Sequence, residues 1–292
     1  MPLKTLLRRV LSVSMIALLG LAPAVQAQNN PNPDRLRVAL LPDENAATLI
    51  QNAEPLKKYL EETLGKRIQI IVTTDYSSMI EAMRFGRIEV GYFGPLSYVL
   101  AKSRAPGIEP FAVGVEKGAP NYKSILIATA DGPVKSIEDV KGKPFAFGDQ
   151  ASTSAHLAPR AHLANNGLIG DEDYKVVHLG THDAVARAVQ AGQVPAGALS
   201  EPILRTLFER GMVDENKIRT IALTDDIPNY PMTLQGHLAP ELKEKIRQAF
   251  LTVTDPDVLR AFRVEGFAAT DDKAYDVLRD MATVLNLEIE KM

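Results

Sequence analysis

Short apolar runs and helically spaced apolar positions alternate along most of the chain. Residues 36–41 form an apolar run closed by Pro42, which reads as a buried strand. Leu49, Ile50, Ala53, Leu56, Leu60 and Leu64 then recur at helical spacing over 46–64, and Gly65 supplies the stop. β-Branched residues at 68–73 predict a second strand. Met79, Ile80, Met83 and Phe85 predict a helix ended by Gly86, and 90–93 a further strand. Pro95 opens a helix over 95–103, in a first turn where its missing N–H is harmless. Strands follow at 111–115 and 124–129. The second half repeats the alternation, with strands at 145–147, 174–179, 197–199 and 218–223 and helices at 156–166, 182–191 and 202–210. From Pro240 onward the pattern is mostly helical, over 241–253, 255–262 and 271–285.

This βαβα order predicts an α/β fold with largely parallel sheets. Two such units and a helical tail predict two lobes around a cleft, hinged near 125–128 and 231–236. The first lobe is expected to be discontinuous, 28–127 with 232–292, and the second to span 128–231. Ligands of open α/β sheets bind beyond the carboxyl ends of strands, so the loops that follow strands are where chemistry is expected.

The N-terminus bears on where the protein works. Lys4, Arg8 and Arg9 precede an apolar stretch at 10–21, and Ala24-Val25-Gln26-Ala27 offers a small-residue cleavage site. This is a signal-peptide pattern covering 1–27, with the cut expected after Ala27. The stretch is shorter than the ~20 apolar residues a spanning helix needs, so the mature chain is expected to carry no membrane segment. The absence of cysteine excludes a lipid-anchored thiol, disulfides, thiolate metal sites and a cysteine nucleophile. A net charge of -3 with mixed signs offers no basic field for nucleic acid.

The most informative segment is Phe147-Gly148-Asp149-Gln150-Ala151-Ser152-Thr153-Ser154-Ala155-His156. A strand ends, a turn follows, and three consecutive hydroxyl residues open a helix. The first turn of a helix offers unpaired N–H donors and a partial positive charge, so it receives anions. One hydroxyl is enough to cap a helix. Both roles remain open for the trio, but capping leaves two of the three without a task. Pro159 lies several residues into this helix and predicts a short first turn or a kink.

Several segments together resemble the phosphate/phosphite/phosphonate-type periplasmic substrate-binding proteins of ABC importers. They are Asp75-Tyr76-Ser77-Ser78-Met79, Tyr92-Phe93-Gly94-Pro95-Leu96-Ser97-Tyr98, Asn121-Tyr122-Lys123-Ser124, Ser152-Thr153-Ser154, Gly180-Thr181-His182-Asp183-Ala184 and Ile227-Pro228-Asn229-Tyr230-Pro231. They stand in the family's order over about residues 36–250. The resemblance implies a two-lobed periplasmic-binding-protein fold (type II) with a central cleft and a hinge. It implies capture of a small oxyanion, delivery to an ABC permease, a periplasmic location and a monomer, with no cofactor. By position, Tyr76 and Tyr122 become cleft phenols, Ser152, Thr153 and Ser154 hold the oxyanion, and His182 donates beside it. Gly94, at another strand-to-helix turn, either lets backbone approach the ligand or serves only the tight turn, and both readings stay open. Relatives that bind aminoalkyl phosphonates add two acids for the amine. Glu201 matches one, but Tyr230 stands where the second, an aspartate, is expected. That departure favours a smaller or uncharged-tailed ligand.

A metal site is not expected, because His178 and His182 are separated by Gly180 and His156 and His162 lack a third ligand at useful spacing. An exported hydrolase using Ser152 or Ser154 with His156 or His182 lacks a third group in any recognisable order, so the chain is expected not to be an enzyme. An oxyanion sensor presenting its ligand to a membrane histidine kinase is the alternative to transport.

Overall fold

A computed structural model describes residues 30–289, so the expected signal peptide lies outside the described residues. Thirteen strands and ten α-helices are described. The strands are β1 (Arg35–Leu40), β2 (Arg67–Val72), β3 (Val90–Tyr92), β4 (Glu109–Val115), β5 (Asn121–Tyr122), β6 (Ser124–Thr129), β7 (Pro144–Phe147), β8 (Lys175–His178), β9 (Ala196–Ser200), β10 (Ile218–Leu223), β11 (Ile227–Pro228), β12 (Pro231–Leu234) and β13 (Gly266–Ala269). The helices are α1 (Ala46–Asn52), α2 (Glu54–Leu64), α3 (Tyr76–Arg84), α4 (Pro95–Arg104), α5 (Ala158–Asn165), α6 (His182–Gln190), α7 (Glu201–Glu209), α8 (Pro240–Thr252), α9 (Pro256–Leu259) and α10 (Asp276–Val284).

The strands build two main sheets. One runs β13-β4-β12-β3-β1-β2 and the other β10-β6-β9-β7-β8. A two-strand ladder, β5 with β11, lies where the chain passes between them. The sheets are mixed rather than largely parallel. β1 pairs in parallel with β2 and β3, and β7 with β8 and β9, while β12, β4 and β13 extend the first sheet and β6 and β10 the second by antiparallel pairing.

The expected lobe boundaries fall inside strands. Residues 125–128 lie within β6 of the five-stranded sheet, and 231–234 form β12 of the six-stranded one. The change of sheet therefore sits a few residues away, at β5 and β11. The tail is less helical than expected, since residues 266–269 close the edge of the six-stranded sheet against β4. Gly-Phe-Ala-Ala has no β-branched residue to announce a strand. The expected helix over 46–64 is two helices, because Pro55 lacks the N–H that would continue the first.

Packing follows the periodicities. In β6, Ile125 and Ile127 face the layer formed with Val185, Val189, Ile203 and Leu207, while Leu126 and Ala128 face Phe145, Phe147 and Leu163. This alternation covers both faces of the five-stranded sheet. The larger core lies around the six-stranded sheet and takes in Ala151, Leu157 and Ala158 from the other lobe. The lobes are thus packed together at that point.

Candidate functional site

Each parallel strand of the two sheets feeds a loop at its carboxyl end, and those loops converge on the cleft. Asp43 follows β1, Tyr76 follows β2, and Gly94 follows β3. From the second sheet, residues 152–154 follow β7, His182 follows β8, and Glu201 follows β9.

The hydroxyl trio divides its tasks. Ser152 Oγ caps the turn by accepting from Ala155 N at 3.1 Å. Thr153 Oγ1 accepts from Leu96 N at 2.8 Å, across the cleft at the start of α4. Ser154 Oγ accepts from the Tyr122 hydroxyl at 3.2 Å. A hydroxyl carries one O–H donor besides its lone pairs, so each oxygen that accepts in this way keeps its proton for a further acceptor. All three residues are buried. Residues 153–157 form a single π-helical turn, with Leu157 N bonded to Ser152 O at 3.1 Å, and α5 starts beyond it with Pro159 in its first turn. The wide turn resolves the proline, because an N–H is not required at that point of α5.

His182 opens α6 and is fully buried. Ser200 N donates to its Nδ1 at 3.0 Å, which fixes the ring proton on Nε2. Nε2 faces the Tyr76 hydroxyl at 3.5 Å. Burial first, and then the Arg263 charge, push its pKa down to about 3, so the ring is a neutral donor. Tyr76, Tyr122 and Tyr230 are buried, and burial raises the pKa of each phenol, keeping it protonated. Tyr230 packs its ring 5.2 Å from Tyr92 and 5.6 Å from Tyr122. Gly94 is extended at φ -69°, so its role is space rather than conformation: a Cβ there would lie 3.1 Å from Leu41 Cδ2.

Of the expected residues, the fold brings together Tyr76, Gly94, Tyr122, Ser152, Thr153, Ser154, His182 and Tyr230. Glu201 stands apart from that group. Its carboxylate is half-exposed and pairs with Arg205 at 3.0 Å and Lys117 at 3.4 Å. Arg205 also pairs with Glu116 from the other lobe.

Sequence reasoning missed a buried charged group in the same place. Arg263 donates to Asp43 Oδ2 at 2.6 Å and Glu44 Oε1 at 2.7 Å, and Arg210 stands 3.7 Å from Glu44. Arg263 sits at φ 58°, a left-handed conformation that a non-glycine residue keeps only when its surroundings impose it. Two buried carboxylates supply that constraint. Asp43 also accepts His182 N on its main-chain oxygen at 3.0 Å, tying the lobes together beside the imidazole. The Asp43-Glu44 pair directly after β1 was a legible signal, since it stands at the carboxyl end of a strand. Arg263 had none, as one arginine among 33 basic residues in a segment with no motif.

A cavity of about 10 Å³ lies among Tyr92, Tyr122, Ser200, Tyr230, Phe262 and Arg263. Such a space holds one water at most. Buried neutral donors from both lobes converge on a helix N-terminus, an arrangement whose chemistry suits an oxyanion without a lysine. Among the described residues, His182 is engaged with Ser200 N and Tyr76, and His156 Nδ1 lies 2.7 Å from Gln150 O, so neither ring is paired with a serine hydroxyl.

Residues 38–275 match the family described as the phosphonate periplasmic substrate-binding protein of ABC transporters. The chain belongs to that family. It is 29% identical over 263 residues to the phosphate-import protein PhnD of Mycolicibacterium smegmatis, covering 84% of this chain and 81% of that one. A binding-protein component of an ABC phosphonate transporter from Pseudomonas aeruginosa superposes with a TM-score of 0.80 at 25% identity, covering 86% of each chain. PhnD1 from Prochlorococcus marinus, solved with methylphosphonate, has the same fold with a TM-score of 0.80 at 22% identity, covering 87% of this chain and 99% of that one. The two-lobed fold and the transport class are therefore as expected. The family's members are binding components rather than enzymes, and the sensory alternative gains no support from it.

Proposed function

We propose that the protein captures a small phosphorus oxyanion, a phosphonate, phosphite or phosphate, between its lobes and presents it to the permease of an ABC importer. The observation that carries this is the donor arrangement at residues 152–154. Three buried hydroxyls each accept one bond and keep a proton to give, and Tyr76, Tyr122 and the Nε2–H of His182 stand beside them. Closing the lobes strips water from the anion, and these neutral donors replace it. Tyr230 and Arg263 fill the end of the cleft where a substituent would extend, which favours a ligand with a short tail or none. The protein works as a monomer in the periplasm after removal of residues 1–27. Its lobes hinge at β5 and β11, where the chain crosses between the sheets.

A thermal-shift panel on residues 28–292 tests this, with phosphite, phosphate, methylphosphonate, 2-aminoethylphosphonate and sulfate. A ligand at one hundred times its Kd stabilises the native state by about 2.7 kcal/mol, a readily measured shift. One of the small phosphorus oxyanions is expected to give the largest shift. No shift with any of them at millimolar concentration, together with flat calorimetry, refutes the proposal.

A further inference from the structure

Asp43 is almost completely buried, and its Oδ1 has no hydrogen-bond partner. The mechanism of capture described above does not use this atom. Its other oxygen is held by Arg263, its main-chain oxygen by His182 N, and the Tyr230 phenol lowers the pKa of the carboxyl as a nearby donor without reaching hydrogen-bond geometry at Oδ1. His182, bonded to the Asp43 main chain, faces the Tyr76 hydroxyl with its ring, so Asp43 stands beside the phenols of the cleft, and its charge helps to raise the pKa of Tyr76, Tyr92 and Tyr122. An orphaned buried carboxylate oxygen is costly to maintain unless something completes it.

Resting on the oxyanion reading of the cleft, we propose that Asp43 determines specificity by accepting a hydrogen bond on Oδ1 from an O–H group of the bound anion. An ionised carboxylate only accepts. Facing a fully ionised anion, it meets acceptor with acceptor and like charge with like charge. A phosphorus oxyanion escapes both penalties, because it can take up a proton on binding at little cost near neutral pH; phosphate monoesters have a second pKa of about 6. Sulfate and sulfonates are fully ionised across this range and bring no proton. Asp43 thereby separates two anion classes of nearly the same shape, by the penalty of leaving buried acceptors unpaired.

The groups facing Asp43 fit this assignment. Arg263 and Arg210 balance Asp43 and Glu44, so no excess positive charge is left over to hold a dianion against the carboxylate. His182 contributes a neutral ring and a main-chain N–H, and Tyr76, Tyr92, Tyr122 and Tyr230 are protonated phenols. Burial, only partly offset by Arg263, lifts the Asp43 pKa to about 6, so at pH 8 the carboxyl is still ionised and only accepts.

Isothermal titration calorimetry of the mature protein with phosphite, methylphosphonate, methanesulfonate and sulfate, in two buffers of different ionisation enthalpy, tests the inference. Wild type is expected to prefer methylphosphonate over methanesulfonate by at least a hundredfold and to take up close to one proton on binding at pH 8. Asp43→Asn is expected to shrink that preference at least tenfold and abolish the proton uptake, because an amide can donate to a fully ionised oxygen. If Asp43→Asn is poorly folded, Asp43→Asn/Arg263→Gln removes both charges of the pair and is read the same way. An unchanged preference in the folded variant overturns the role of Asp43. So does a wild type that binds sulfonate equally well or binds methylphosphonate without proton uptake. Absence of binding to any phosphorus oxyanion instead overturns the proposed function itself.

Discussion

Thr153→Val separates the ligand's contribution from the cleft's own closure. Valine matches threonine in shape but has no hydroxyl. In the closed arrangement Thr153 Oγ1 is the acceptor for Leu96 N, 2.8 Å away in the first turn of α4. Leaving that buried N–H without an acceptor costs about 1–3 kcal/mol. The same hydroxyl has its proton free for the anion, and a hydrogen bond to a charged group contributes about 1.5–3 kcal/mol. Both losses fall on the closed, liganded state. At about 1.4 kcal/mol per tenfold, affinity should drop by roughly fiftyfold or more. Water reaches Leu96 N when the lobes part, so the unliganded melting temperature should hardly move. Thr153→Ser keeps the oxygen and should bind within about threefold of wild type. Calorimetry with the best ligand of the panel measures affinity, and small-angle scattering with and without ligand reports closure. Wild-type affinity in Thr153→Val, with normal closure, would refute the placement of this hydroxyl in the site.

Three further outcomes follow from the geometry. Tyr230→Ala should cost about 3–5 kcal/mol of stability, as for other buried aromatics, and enlarge the 10 Å³ cavity enough to admit phenylphosphonate; an unchanged tail preference counts against Tyr230 as the size limit. Glu201→Gln should leave methylphosphonate affinity within about twofold, because its carboxylate is engaged by Arg205 and Lys117; a tenfold loss would restore it to the site. Acid should destabilise the unliganded protein through His182, whose folded pKa lies near 3. The stability that neutral His182 contributes is complete above the ordinary histidine value and is lost as pH falls from there toward 3, at about 1.4 kcal/mol per unit of pKa difference. His156, lowered to about 4 by burial, acts in the same direction, while Asp43, raised to about 6, opposes them by contributing stability that is lost as pH rises through 6. Urea unfolding between pH 4 and 8 should therefore show a flatter acid limb in His182→Asn, and parallel curves would show that His182 is not held neutral by the fold.

What could be read in advance was governed by how locally each feature is encoded. Strand and helix alternation is a property of neighbours, so β6, β10 and the helices that follow the parallel strands stood out. The strand-end rule then located most of the cleft, because a loop after a parallel strand faces the site whatever its partners are. β12 and β13 were lost because their strand character comes from a partner far along the chain: β4 lies between them and pairs with both, while Pro-Met-Thr-Leu and Gly-Phe-Ala-Ala are short and poor in β-branched residues. The hydroxyl trio was legible as a site but not in its division of labour. That Ser152 caps its own turn is local, whereas the bonds of Thr153 to Leu96 and Ser154 to Tyr122 span 57 and 32 residues.

The charged end of the cleft shows the same limit from the other side. Asp43 and Arg263 are separated by 220 residues, and each alone looks like one more surface charge. Only the fold shows that they neutralise each other in a buried place, and only then does the unpaired Oδ1 of Asp43 become visible. Such an ion pair adds little to stability, since the desolvation of both partners offsets their attraction. It does fix where a carboxylate stands relative to an incoming anion. Hydroxyls and phenols hold any tetrahedral oxyanion of the right size, so they cannot by themselves tell a phosphonate from a sulfonate. A carboxylate held in place by Arg263 can, because it responds to the single difference between the two, the presence of a proton.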